Sequence, residues 1–229
     1  MKAWSRSSIG KKVLMAGSGL VLLGFVIAHL AGNLLLYAGP RALNAYAYKV
    51  RELGLWLWVA RAGLLIAVLI HIVTSLQLAM ENRRARPVAY RRQRFVKTTL
   101  AARTMLLSGL LVLAYLVYHL LHFTFGIVAP ESSHGTDPLG HHDVYRMVVL
   151  SFQRWPVVLA YGLGVGLVCL HLSHGIGSAC QTLGVTNERT LPIATRVGRL
   201  IAWGIFLGYL SIPLAVWCRL IPSTGRGAF

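Results

Sequence analysis

The chain has 229 residues, of which 56% are apolar and only 13% charged. A water-soluble domain of this length carries roughly twice that charged fraction. The composition excludes a disordered chain and a disulfide scaffold. Five long apolar blocks exclude an ordinary globular fold and a porin-like barrel of short alternating strands. What remains is an all-α, polytopic membrane protein with a single membrane domain over residues 1–229.

A span needs about 20 mostly apolar residues to cross roughly 30 Å of hydrocarbon. Five are predicted, in chain order: Val13 to Ala38, Leu55 to Met80, Thr104 to Val128, Pro156 to Cys180 and Leu200 to Ile221. The first is too long for the apolar core of a cleaved signal peptide and is expected to stay in the mature chain. Trp56, Trp58, Trp155 and Trp217 fall at predicted span ends, where interface anchors belong. The connections are too short for a soluble domain. They contain no dinucleotide fingerprint, P-loop or nucleophile elbow.

The net charge is +17. In a soluble chain that would point to nucleic acid; here the basic residues flank spans, and no nucleic-acid partner is expected. Most of them lie in the N-terminal arm (Lys2, Arg6, Lys11, Lys12), the 81–103 connection (Arg83 to Arg103) and the segment before the fifth span (Arg189, Arg196, Arg199). Four of the six acids lie on the opposite side. The positive-inside rule therefore places the N-terminus in the cytoplasm and the C-terminus outside. Cys169, Cys180 and Cys218 form no CxxC or CxxCH motif, so zinc knuckles and covalently held c-type haem have no support.

Polar groups are costly inside a membrane, so an intramembrane histidine is a functional candidate. His29, His71, His119, His122, His171 and His174 all lie within predicted spans. At 1.5 Å per residue, His29 and His119 lie about 25 Å in from the cytoplasmic ends of their spans, and His71 and His171 about 15 Å in. Two histidines from two helices at one depth are what a b-type haem requires, one imidazole on each side of the porphyrin. Small residues must let the macrocycle approach the backbone. Gly17, Gly19 and Gly24 on the first span, and Gly162, Gly164 and Gly166 on the fourth, serve either this purpose or close helix packing. A proton relay is the rival reading, but the interiors of the spans hold no Asp or Glu. His122 and His174 repeat the motif one turn after His119 and His171. The loop residues His134, Asp137, His141, His142 and Asp143 read as a solvated exterior segment rather than a metal site.

Ser7-Ser8-Ile9-Gly10-Lys11-Lys12 followed by His29-Leu30-Ala31-Gly32-Asn33-Leu34 resembles the opening of the cytochrome b subunit of succinate dehydrogenase and fumarate reductase. The motifs His119-Leu120-Leu121-His122-Phe123, His171-Leu172-Ser173-His174-Gly175, Gln181-Thr182-Leu183-Gly184 and Asn44-Ala45-Tyr46 resemble its single-subunit, five-helix, two-haem branch. The resemblance covers essentially the whole chain. It implies two haem b groups with axial ligands His29, His71, His119 and His171, paired His29–His119 on the outer side and His71–His171 on the inner. It leaves His122 and His174 as residues of a haem edge or quinone pocket. By charge and position, Lys11, Arg103 and Arg199 are candidates for the haem propionates. Ser178, Gln181 and Arg83 are candidate quinone donors, as are His122 and Asn33 on the outer side.

The resemblance further implies a membrane-anchor subunit of a succinate:quinone oxidoreductase, in the cytoplasmic membrane of a prokaryote. The expected partners are an iron–sulfur subunit and an FAD-bearing flavoprotein on the cytoplasmic side, a membrane quinone and the lipid bilayer. The quinone is expected to be menaquinone rather than ubiquinone, and the complex can assemble into higher oligomers. This chain itself would hold no dicarboxylate site. Two other functions fit the same histidines: the haem b anchor of a hydrogenase or formate dehydrogenase, and a haem-free transporter using histidine as a proton relay.

Overall fold

A computed structural model describes residues 7–85 and 98–222. Five helices are long and apolar enough to cross a membrane: Ser8–Ala38, Leu55–Arg84, Met105–Thr124, Trp155–Thr182 and Leu191–Trp217. No strand occurs among the described residues. The protein is an all-helical, multi-pass membrane protein. Large apolar side chains such as Leu65, Leu107, Leu163 and Leu207 are exposed along these helices. Such a surface would drive aggregation in water and suits a lipid environment.

Helix α1 spans Ser8–Leu34 and tightens into a 3-10 turn over Leu35–Ala38. The Ser7 hydroxyl accepts from Gly10 N at 3.0 Å, satisfying an orphan amide at its start. Gly39, at φ +92°, turns the chain into α2, Pro40–Glu52, which opens on proline. Helix α3 is Leu55–Arg84. A short α4, Leu100–Arg103, capped by Thr99, leads into α5, Met105–His119. A π-helical turn, Leu120–Thr124, continues α5 and carries His122. The connection between the third and fourth spans folds into α6, Pro130–Ser133, and α7, Val144–Phe152. Helices α8, Trp155–Thr182, and α9, Leu191–Trp217, complete the chain.

All five spans differ in their limits from the predicted ones, and for the third and fifth a local cause is visible. The third ends at Thr124 rather than Val128, because Gly126 at φ +66° turns the chain away. The fifth begins at Leu191, nine positions before the apolar block, and ends at Trp217. Asn187 Oδ1 accepts from Arg189 N and Thr190 N at 2.9 and 3.0 Å, and this turn launches the helix early. Arg196 and Arg199 are therefore helical. Of the basic residues in the 81–103 connection, Arg86, Arg91, Arg92, Arg94 and Lys97 lie outside the described residues, as do Lys2 and Arg6 of the arm.

The chain forms two compact units. The first comprises the described residues of Met1–Phe25, Ala60–Leu110 and Leu170–Trp203; the second comprises those of Val26–Val59, Leu111–Cys169 and Gly204–Phe229. In the first, Lys11 on α1 forms an ion pair with Glu81 on α3. Gly198 packs so tightly on Ile176 that an added Cβ would lie 2.9 Å from it.

The second unit has an apolar core in which Leu36, Tyr145, Val149, Phe152, Tyr161 and Val216 are among the buried residues. Asn44 of α2 and Asp143 at the start of α7 are both buried and lock these two helices together. Asn44 Nδ2 donates to Asp143 Oδ1 at 3.0 Å, and Asn44 Oδ1 accepts from Tyr145 N at 2.9 Å. Asp143 also accepts from Arg146 N, capping α7. Asp137 accepts from Leu139 N and His141 N at 3.0 and 2.8 Å. His142 Nδ1 donates to the Gly135 carbonyl, and the His141 ring stacks on Tyr48 at 3.9 Å.

Candidate functional site

The first unit brings the rings of His71 of α3 and His171 of α8 together, with centroids 6.2 Å apart and planes crossed at 72°. His71 Nδ1 lies 3.0 Å from the Met15 carbonyl. A carbonyl only accepts, so Nδ1 carries the proton and Nε2 the free lone pair. His171 Nδ1 lies 3.1 Å from Ser108 Oγ. That hydroxyl already donates to the Met105 carbonyl at 3.1 Å, so it accepts from His171 and again leaves the lone pair on Nε2. Glycines flank both rings. A Cβ at Gly19 would lie 3.1 Å from His71 Cε1, and one at Gly109 3.3 Å from His171 Cε1.

The second unit pairs His29 of α1 with His119 of α5, with centroids 5.9 Å apart and planes crossed at 82°. The Tyr161 hydroxyl lies 3.3 Å from His119 Nδ1 and 3.0 Å from His122 Nδ1. The His29 carbonyl accepts from Asn33 Nδ2 at 2.7 Å, one helical turn along α1. Tyr115 and Tyr209 stand beside the pair, their rings 6.2 Å from His119 and 6.3 Å from His29.

These two pairs fit a bis-imidazole haem. Metal–nitrogen bonds of about 2 Å, each extended by about 1 Å to the ring centre, put opposed imidazole centroids about 6 Å apart. Both observed separations have that size. The fixed tautomers of His71 and His171 suit ligation through Nε2, with the other nitrogen held by the protein. Gly17 and Gly24 meet no atom within 4 Å of an added Cβ, so packing inside the chain does not explain their size. Gly164, by contrast, makes room for the Tyr115 ring, and Gly162 and Gly166 approach Leu210 and Phe206. Of the fourth-span glycines, Gly164 is the one whose small size close packing requires.

The remaining candidates fall in different places. His122 is 1% exposed and bonded to Tyr161 through Nδ1. Its Nε2 has no hydrogen-bond partner among the described residues. His174 is half-buried on α8. Ser178 and Gln181 line a cavity of about 500 Å³ with Lys12, Met15 and Asn82, all in the first unit. Arg83 is exposed near the end of α3, outside that lining. Lys11 is engaged by Glu81. Arg103 closes α4, and Arg199 is exposed on α9.

Sequence reasoning missed Tyr161, Ser108 and Ser18, whose Oγ lies 3.5 Å from His71 Nδ1. Their signal was present: each is a polar side chain inside an apolar span, where a hydroxyl needs a partner. Comparison of the chain with protein-family profiles, with curated proteins and with solved structures finds no match.

Proposed function

We propose that this chain is the dihaem cytochrome b membrane anchor of a succinate:quinone oxidoreductase, in the cytoplasmic membrane of a prokaryote. The observation that carries the haem reading is the pair of opposed histidine couples, 5.9 and 6.2 Å between centroids. The assignment to this oxidoreductase rests on the motif resemblance. A bound b haem supplies one-electron transfer between an iron–sulfur partner and a membrane quinone.

The chain's own residues do the positioning. Met15 and Ser108 hold the Nδ1 protons of His71 and His171, so each ring presents Nε2 in a set orientation. Tyr161 does the same for His119. The cavity lined by Ser178 and Gln181 offers hydroxyl and amide donors beside apolar Ile9, Val13 and Leu78, which suits a quinone carbonyl on an apolar ring. Menaquinone is the expected quinone. The N-terminal side of the spans would face the cytoplasm and receive the iron–sulfur and FAD-bearing subunits.

The test is haem content per polypeptide by the pyridine haemochrome method, on chain expressed with ample porphyrin. Two haems per chain are expected, and a colourless protein would overturn the reading. Co-purification of a flavoprotein with succinate-dependent quinone reduction is expected. A hydrogenase or formate dehydrogenase in its place would move the anchor to a different complex.

A further inference from the structure

We propose that Tyr161 and His122 form a directed hydrogen-bond chain onto His119, making Tyr161 a positioning residue that tunes one haem site and not the other. The inference rests on the haem reading above and adds an asymmetry that reading does not contain.

The direction of the chain follows from proton counting. The Tyr161 hydroxyl lies within hydrogen-bond reach of both His119 Nδ1 and His122 Nδ1, at 3.3 and 3.0 Å. A phenol has one proton to donate, so at most one of the two imidazoles can accept from it and the other must donate to it; among the described residues these two rings are the only partners of the Tyr161 hydroxyl. With His119 giving Nε2 to iron, its Nδ1 keeps the proton and donates to Tyr161. The Tyr161 proton then points to His122 Nδ1. His122 is thereby fixed as the Nε2–H tautomer.

The surroundings strengthen the chain. Tyr161 is 5% exposed and His122 1%. Phe152 and Phe123 lie 5.0 and 5.4 Å from the Tyr161 ring, and Phe123 stacks on His122 at 4.2 Å. Hydrogen bonds shielded from solvent by these rings reinforce one another. The π-helical turn that starts just after His119 sets where His122 falls, and such turns recur at functional sites.

The first unit is built differently. His71 donates to the Met15 carbonyl, and His171 donates to Ser108, whose own proton goes to the Met105 carbonyl. Both of those chains end on backbone. The His119 chain ends on a second imidazole, which a substitution can remove. An acceptor on a ligand's outer N–H raises the basicity of the ligand and favours the oxidised metal. Tyr161 accepts more strongly while it donates to His122. Deleting the phenol should therefore raise the potential of the His29–His119 haem, and deleting His122 should raise it by less.

The experiment uses the purified full chain with bound haem, comparing the parent with Tyr161→Phe, His122→Phe and the double variant. Haem content by pyridine haemochrome and a potentiometric titration of the α-band are read for each. The expected result is two haems in every variant and one potential raised in Tyr161→Phe. A smaller rise is expected in His122→Phe, and a double variant shifted no further than Tyr161→Phe. The other potential stays fixed. Unchanged potentials in a haem-replete Tyr161→Phe would overturn the chain, as would shifts that add in the double variant. Should Tyr161→Phe lose haem, His122→Phe decides alone, and no shift there overturns the proposal. A parent chain without haem refutes the underlying functional reading instead, which keeps the two failures distinct.

Discussion

The imidazoles of His71 and His171 lie 6.2 Å apart between centroids, and each is tethered through Nδ1 to a group on a neighbouring helix. A pair held this way is a unit, and losing either member removes the site. His71→Ala, His171→Ala and the double variant should each lower haem content from two per chain to one. His29→Ala and His119→Ala should remove the other haem. His122→Ala and His174→Ala should leave both in place. Pyridine haemochrome quantitation reads all of these.

Ser108 is 2% exposed and is, among the described residues, the one side chain bonded to His171 Nδ1. Replacing it with alanine leaves a buried N–H without its acceptor, at a cost of about 1–3 kcal/mol. Loss of such an outer partner weakens metal-site affinity by about 10–100-fold. Ser108→Ala should therefore release one haem faster to an apomyoglobin acceptor, while the second haem leaves at the parental rate.

Gly164 on α8 touches the Tyr115 ring so closely that a methyl group would collide with it. Aromatic rings cannot bend aside as a flexible chain end can. Gly164→Ala should destabilise the chain by about 1–3 kcal/mol through overpacking. Gly63→Ala is the matched control, since an added Cβ there meets nothing within 4 Å. On helix propensity alone that change should be neutral or stabilising, by up to about 1 kcal/mol. Thermal unfolding of the two variants in detergent gives the comparison.

The spans were legible because blocks of about 20 apolar residues are hard to place anywhere but a bilayer. The histidine couples were legible because imidazole is costly there and four of them sorted by distance from the span ends. The start of α9 was not, since Arg196 and Arg199 lie in a helical stretch that hydropathy alone ends at Leu200. The loop helices α2 and α7 were missed for a related reason. They are short, and the Asn44–Asp143 bond that joins them spans 99 positions. The pairing of Lys11 with Glu81 crosses 70 positions and leaves no local trace in the sequence. Tyr161 stood out in the sequence only as a polar side chain in an apolar span; its role depends on two rings of another helix, about 40 positions away.

Outside the spans, Glu131 carries a pH dependence whose sign can be worked out. Its carboxylate is held below the usual range first by its own backbone amide and then by Arg154, whose guanidinium bonds Oε1. A depressed folded pKa means the contribution is present above the unfolded carboxylate value and is lost as pH falls through the folded one. Both side chains are more than half exposed, so the effect on stability is small and shrinks with salt. The clearer readout is the titration itself. Arg154→Gln should raise the Glu131 pKa without restoring it fully to the free value, because the amide bond remains. Carboxyl carbon NMR of Glu131 in both forms measures this, and an unchanged midpoint would show that Arg154 has no hold on the group.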